Sequence, residues 1–486
     1  MPRSEFPTAA EQQINNFKLV GNLLRGMDNW DKIFKTYDVR GVYPKEINRK
    51  VAYKIGRGVA IKIRPQRVKN LAIGRDNRLS SDDLFQGICD GIRDEGINVV
   101  NFGLVTTPIL YYAMIKMDLD AGIMITASHN PKEYNGFKII KKGGIPLDEK
   151  DFEKIKQIIQ KSDFGSGKKQ AFLIDKNALK TDIIKDYVDN IIDFSRVSDI
   201  KPLKVVVDTG NGVAGIVIPE LAKQLPINLD NIFSELDGNF PNHNPNPVIL
   251  KNTEVLQEKV LSEKADLGVA FDGDADRILF IDERGERIDS DLIAAVIIHY
   301  YFKRAGKILC TAASSKIVKE EAIDSGNEII FERIGYTFIR KRMEREKVIF
   351  GCESSGHYYF KDTNYVESPF LVLIKILELI SRTKMPLSDL VNQFQRFYQD
   401  RSAIPFSNLN KARFCIGNIE AEYKKIHRFG RIGKFSYIDG VSVEYPDWWF
   451  NIRISNTEPV LRLTIEADTK ELLEEMKQKL LKLIPF

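Results

Sequence analysis

From Trp30 onward, short apolar runs alternate with longer stretches of helical periodicity, and this alternation limits the fold more than any other feature of the 486-residue chain. Strand-like runs fall at 69–73, 99–102, 121–126, 203–207, 267–271, 278–281, 307–310 and 347–350. Helical patterns fall at 47–63, 81–95, 151–161, 181–192, 256–264, 292–303 and 370–381. A strand followed by a helix, many times over, predicts α/β domains with mixed, largely parallel sheets. Near residues 398–406 the pattern changes. Strand-like runs at 441–445, 449–454 and 461–466 precede a helical stretch at 470–481 that Asp468 or Thr469 is placed to cap, which predicts a small α+β domain.

Breaks near 180, 288 and 400 divide the chain into an N-terminal extension 1–28, α/β domains 29–180, 181–288 and 289–400, and a C-terminal α+β domain 401–486. The first break is inferred from a charged helical connector at 182–194. The extension is polar, with a short amphipathic stretch at 14–24 and no recognisable chemistry. Lys and Arg number 72 against 67 Asp and Glu, and a net charge of +5 gives no broad field for gripping nucleic acid. No apolar run reaches the ~18 residues of a membrane span; the longest, around 292–302, is interrupted by His299. The N-terminus lacks the apolar core of a secretory signal. Four cysteines, far apart and without a CxxC pair, suit neither a disulfide framework nor structural zinc. A soluble cytoplasmic protein with no nucleic-acid or membrane partner is expected.

Ligands of open α/β sheets bind beyond the carboxyl ends of strands, and several strands here end in unusually polar loops. TASHNP, from Thr126 to Pro131, follows a strand and sets Ser128 beside His129, with Lys138 shortly after. A serine on such a turn is a candidate nucleophile; a polar turn closed by Asn130 and Pro131 is the alternative, and the Gly-x-Ser-x-Gly elbow of an α/β-hydrolase is absent. DGDADR, from Asp272 to Arg277, spaces Asp272, Asp274 and Asp276 so that they converge on one hard cation such as magnesium. An EF-hand is ruled out, because Arg277 stands where glycine is needed and both flanks read as strands. ESSGH, from Glu353 to His357, gathers a carboxylate, hydroxyls and an imidazole, which suits sugar hydroxyls as well as a plain turn. RISNTEP, from Arg453 to Pro459, with Arg462 beyond it, combines a guanidinium, hydroxyls and an amide into a phosphate cradle. Shorter loops at 34–41, 74–81 and 208–212 read singly as turn chemistry.

Together and in this order, the four motifs resemble those of the α-D-phosphohexomutase family, in its phosphomannomutase/phosphoglucomutase branch, from about Trp30 to the C-terminus. The resemblance implies three related α/β domains and a C-terminal domain around a central cleft. It implies interconversion of hexose 1-phosphate and hexose 6-phosphate, of mannose or glucose or both, through a phosphoserine and a reorienting hexose 1,6-bisphosphate. Carried over residue by residue, Ser128 is the phosphoserine and also a metal ligand, and Asp272, Asp274 and Asp276 complete the site for one Mg2+ per chain. Arg277, Lys138, His129 and Arg40 surround the phosphoserine. Glu353 and Ser355 read the sugar, with His357 beside them, and Arg453, Ser455, Asn456 and Thr457, with Arg462 nearby, grip the substrate's phosphate. Tyr37 is a cleft-lining candidate.

The sequence departs from the family pattern at Cys352, at Tyr336 after Gly335, and at 311–315, all in regions expected to contact substrate. The preferred sugar therefore stays open. So do a phosphoglucosamine mutase, against which Ala275 in the metal loop counts, and a catalytically silent sugar-phosphate binder. The partners implied are sugar phosphates, in a monomer or small homo-oligomer.

Overall fold

The structure, a computed structural model, describes residues 30–164, 172–175, 182–304, 306–428, 433–455 and 459–484. The amphipathic stretch at 14–24 lies outside the described residues.

Four sheets follow one another along the chain. In the first, strand Asn70–Arg75 lies parallel between Asn98–Leu104 and Ala121–Ile125, and the next strand in sequence, Tyr134–Lys141, turns back antiparallel on Ala121–Ile125. The second repeats this plan: Leu203–Asp208 lies parallel between Ile227–Ile232 and Leu267–Phe271, and Ile278–Asp282 turns back. The third repeats it again: Lys307–Thr311 lies between Glu328–Glu332 and Phe350–Cys352, and Tyr358–Phe360 turns back. Numbered by appearance within each unit, the spatial order is fourth, third, first, second three times over. Short edge strands, Val39–Val42, Leu173–Asp175 and Arg287–Ile288, extend the first two sheets. The fourth sheet, residues 398–467, is wholly antiparallel.

The central strands are buried on both faces, as LGVAF of Leu267–Phe271 shows, because helices cover each side. One continuous core joins the three α/β units: it includes Val100 and Phe102 of the first sheet, Val205 and Val207 of the second, and Ile308 and Cys310 of the third. Helix Pro369–Thr383 runs through it nearly fully buried. Its Phe370 stacks on Phe271 of the second unit with ring centroids 5.0 Å apart and meets Tyr187 edge-on at 6.1 Å. The C-terminal unit has a core of its own, built from strands and the helices Leu409–Arg428 and Lys470–Lys482. It meets the third unit through polar contacts: Lys316 N–H donates to Glu466 Oε1 at 2.9 Å, Ile334 N–H donates to Asp439 Oδ2 at 3.0 Å, and Arg401 pairs with Asp289 and Asp291.

Two expectations need correction. The strand expected at 347–350 begins at Phe350, because Lys347, at φ 58°, is the left-handed cap that ends helix Tyr336–Glu346. The segment expected as a connector at 182–194 is a packed helix, Ile183–Asp193, which buries Ile183, Tyr187, Val188 and Ile191. Thr469 is the cap of the last helix, accepting from Leu472 N–H at 3.2 Å. All four cysteines are free and buried, and no helix among the described residues is long and apolar enough to cross a membrane.

Because Phe370 ties the third unit to the second, Phe370→Ala is expected to cost roughly 3–5 kcal/mol, the usual range for deleting a buried ring. A fall in the urea midpoint of the unit-spanning transition would register it; an unchanged midpoint would show that the units are not held through this ring.

Candidate active site

The repeated topology gives each α/β unit one turn between its third and fourth strands, at 126–133, 272–277 and 353–357. These are the loops that carry the first three motifs. Backbone bonds tie the second turn to both neighbouring units: Thr107 N–H, at the start of helix Thr107–Lys116, donates to Asp274 O at 3.0 Å, and Ile278 N–H, at the turn's end, donates to Gly356 O at 3.1 Å. Gly273 is required by contact, since a Cβ there would sit 2.7 Å from Ser128 O.

Ser128 is buried and holds φ 51°, a left-handed conformation that a non-glycine residue keeps only when its surroundings enforce it. Two anchors do so. Its N–H donates to Thr126 Oγ1 at 2.8 Å, and the buried Arg78 guanidinium donates to the carbonyls of Ser128, Asn130 and Pro131 at 2.7 Å and of Tyr134 at 3.0 Å. Asp76 holds Arg78 in turn, 3.1 Å from its Nε. The turn aims Ser128 Oγ at the second loop, where it donates to Asp272 Oδ2 at 2.7 Å; His129 Nδ1 lies 3.2 Å from the same Oγ.

Asp272, Asp274 and Asp276 are all buried, with one carboxylate oxygen from each within 4.8 Å of the others. Asp272 Oδ1 accepts from the N–H groups of Asp276 and Arg277 at 3.1 and 3.2 Å, which curls the loop. Lys138 Nζ bridges Asp274 and Asp276 at 2.6 Å each, and Thr107 Oγ1 donates to Asp274 at 2.5 Å. Burial, then Asp276 and Asp274, push the Asp272 carboxyl well above the usual range. Burial acts in the same direction on Asp276, but Lys138 and then His357 outweigh it and hold this carboxyl well below. Lys138 is itself raised, its burial outweighed by Asp274 and Asp276. Asp274 Oδ1 is buried and accepts no hydrogen bond among the described residues. An all-oxygen donor set with an orphaned buried oxygen fits a hard divalent cation such as Mg2+.

The other cations lie close by. Arg277 Nε is 3.7 Å from Asp272 Oδ2, and Arg40 bonds Asn130 Oδ1 and, at 2.7 Å, Asp38. Burial, then Arg277 and Arg40, push the His129 imidazole well below its ordinary value, so it is neutral near pH 7. In the third loop Ser355 Oγ lies 2.8 Å from His357 Nδ1, and Tyr359 OH donates to Glu353 at 2.7 Å. His357 Nε2 lies 3.2 Å from Asp276 Oδ1, which joins this loop to the metal loop.

From the C-terminal unit, Arg453 is nearly buried at the end of strand Trp448–Ile454, 3.8 Å from Asp439 and near enough to Glu353 to feel its charge. Gly440 makes room for it: at φ 70°, a Cβ would sit 2.6 Å from Arg453 Cβ. Ser455 follows that strand and Arg462 faces Arg453 on the neighbouring one. Asn456 and Thr457 lie outside the described residues. Tyr37 packs edge-on against Tyr336, 5.3 Å between centroids, and Tyr336 OH donates to Tyr37 O at 3.1 Å, so the tyrosine after Gly335 bridges the first and third units. Cys352 is a buried core residue whose Sγ reaches Leu309 O at 3.9 Å.

Sequence reasoning missed Arg78 and Asp76, which hold the serine turn, and Thr107, which braces the metal loop. The loop at 74–81 drew notice only as a turn, because nothing in it separates an Arg that binds four carbonyls from a surface one.

Four successive family models match the chain: domains I, II and III of phosphoglucomutase/phosphomannomutase, described as alpha/beta/alpha, at residues 31–166, 185–285 and 289–397, and the C-terminal domain at 408–483. The chain belongs to the phosphoglucomutase/phosphomannomutase family. A phosphomannomutase of Vibrio cholerae is 34% identical over 93% of this chain and 98% of its own length. A phosphomannomutase/phosphoglucomutase of Pseudomonas syringae pv. tomato is 34% identical over 92% and 94%. Among solved structures, a phosphoglucomutase/phosphomannomutase family protein of Burkholderia thailandensis aligns with a TM-score of 0.82 at 30% identity, covering 93% of this chain and 96% of that one. Like its relatives the chain is a mutase of hexose phosphates, an isomerase that works by phosphoryl transfer.

Arg78→Lys keeps the positive charge and gives up the fork that reaches four carbonyls. A loss of roughly 2–3 kcal/mol in kcat/KM, on the order of 30- to 150-fold, is expected with the circular dichroism spectrum unchanged. Wild-type activity in this variant would show that the serine turn stands without the guanidinium.

Proposed function

We propose that the enzyme interconverts the 1- and 6-phosphates of mannose, glucose or both through a phosphorylated Ser128. The observation that carries this reading is the hydroxyl of a left-handed, buried serine held 2.7 Å from the first of three converging aspartates. Asp272, Asp274 and Asp276, with the phosphorylated Ser128, would hold one Mg2+. When bound, that ion supplies charge neutralisation at the transferring phosphoryl group, which phosphoryl transfer needs more than covalent help. Arg277 and Arg40 add fixed positive charge, and neutral His129 is poised at Ser128 Oγ. Lys138, in contact with Asp274 and Asp276, adds a third fixed positive charge beside the phosphoserine.

Arg453 and Arg462, with Ser455, Asn456 and Thr457, hold the substrate's own phosphate, while Glu353, Ser355 and His357 read its hydroxyls and Tyr37 lines the cleft. Ser128 gives its phosphoryl group to the free hydroxyl, leaving a hexose 1,6-bisphosphate that turns within the cleft before Ser128 takes the other phosphate back. The C-terminal domain, attached by polar contacts and carrying Arg453, closes the cleft and excludes water during that turn. We assign the domains to 29–180, 181–288, 289–400 and 401–486, and the working state to a cytoplasmic monomer or small homo-oligomer.

Ser128 is expected to be partly phosphorylated in peptide mass spectrometry, and Ser128→Ala to lose nearly all turnover; an active alanine variant with no phosphate at this site would sink the assignment. Turnover is expected to vanish in excess EDTA and return with Mg2+, and full activity in chelator would remove the cation from the reaction. In a mutase one cradle serves both phosphates in turn. Arg453→Ala should therefore weaken the 1-phosphate and the 6-phosphate alike, by roughly 2–4 kcal/mol or on the order of 30- to 1000-fold in kcat/KM. Impairment of one isomer alone would contradict the shared cradle.

A further inference from the structure

Helix Pro369–Thr383 keeps different company at its two ends. Phe370, in its first turn, stacks on Phe271, the residue before Asp272. From 370 to 382 the helix rises about 18 Å at 1.5 Å per residue, so Arg382 lies well away from the metal loop. There a cavity of about 310 Å3 opens between this helix, the end of helix Ser290–Tyr301 and the segment around Arg196. That volume lies at the lower end of the roughly 300–1,000 Å3 typical of small-molecule sites.

Three cations line the cavity, Arg196, Lys375 and Arg382, against a single carboxylate, Glu378, which leaves a net charge of +2. Glu378 is already engaged: it accepts the Arg196 N–H and, at 2.7 Å, the Tyr301 hydroxyl. Lys375 is only 9% exposed, yet its Nζ has no carboxylate partner among the described residues. It sits 4.3 Å from the Tyr301 ring centroid and 3.5 Å from Phe194 O. Burial lowers its pKa, the mark of an ammonium that a bound anion would steady. The Arg382 guanidinium lies 5.7 Å over the same Tyr301 ring and, like that of Arg196, is solvent-exposed. The remaining walls are aromatic: Tyr300, Tyr301 and Phe194, the last 36% exposed.

A charge of +2 matches a phosphate monoester, which carries about −1.5 to −2 near neutral pH. Lys375 and Arg382 already lie over the Tyr301 ring, so a flat ring would stack on Tyr300 or on the partly exposed Phe194. Unoccupied groups for reading sugar hydroxyls, such as Glu353 and Ser355 supply in the catalytic cleft, are missing from this lining, since Glu378 is spent. We propose that this cavity is a second binding site, separate from the catalytic cleft, for a phosphate monoester bearing a flat aromatic group, of the nucleoside monophosphate class.

Calorimetric titration of the full-length protein tests this with AMP, adenosine and inorganic phosphate as probes. Titrations in an Arg453→Ala background keep phosphate binding in the cleft out of the comparison. AMP is expected to bind Arg453→Ala as it binds the wild type, one per chain, and more tightly than adenosine or phosphate. Adding Arg196→Ala and Arg382→Ala, both exposed side chains, should weaken AMP by on the order of tenfold or more. The same pair in the wild-type background should leave hexose-phosphate turnover unchanged, which shows that the protein is folded. The site is overturned if AMP does not bind at millimolar concentration, or if its binding falls with Arg453→Ala and ignores the arginine pair. Phosphate or adenosine binding as tightly as AMP overturns the ligand class.

Discussion

Three carboxylates cannot share one buried loop unless opposite charge is delivered to them, because desolvated like charges repel strongly in a low-dielectric interior. Much else in the structure follows from meeting that demand. Lys138 reaches Asp274 and Asp276 from the first sheet and Arg277 comes from the metal loop itself, while the His357 imidazole of the third unit lies 3.2 Å from Asp276 Oδ1. Each unit thus contributes a group to the same cluster, and the three are locked by it as well as by their shared core. The protonation preferences express the same tension: Asp272 is pushed toward its neutral form while Asp276 is held ionised, and a divalent cation would release the first.

The reacting serine depends on a second buried charge. Its left-handed turn is costly alone and is kept in place by one guanidinium bonded to four carbonyls. The two networks point at each other across 2.7 Å, so the hydroxyl is presented to the aspartates before any ligand arrives. Such preorganisation is what positioning contributes to group transfer. Arg453 is placed apart, on a unit with a separate core and polar contacts to its neighbour, which is the arrangement the proposed closure of the cleft requires.

Much of this was legible in the sequence because its chemistry is concentrated in contiguous loops. Strand Leu267–Phe271 and the DGDADR turn after it announce themselves through an apolar run followed by spaced aspartates. The fourth strand of each unit was harder: Tyr134–Lys141 carries the polar motif residues Asn135 and Lys138 and does not alternate cleanly, and Tyr358–Phe360 is too short to show a period. Helix Leu409–Arg428 opens on a polar stretch that gives little periodic signal. Arg78 and Thr107 were out of reach for another reason, since their roles depend on partners 50 to 167 residues away in the chain, and Asp76 matters only through Arg78, which it holds.

The thrice-used strand order has a consequence for how such an enzyme can change. In the proposed mechanism one hairpin position hosts the nucleophile in the first unit, the cation site in the second and the hydroxyl-reading residues in the third. A hairpin turn can be rewritten while the registers of its flanking strands stay fixed, so the three tasks separate except where His357 of the third turn meets Asp276 of the second. Selectivity among hexoses can therefore drift at Glu353 and Ser355, while any change at His357 is felt in the cation loop. The departures at Cys352 and Tyr336 fall in that same third unit, the first in its buried strand and the second where it meets Tyr37 of the first unit.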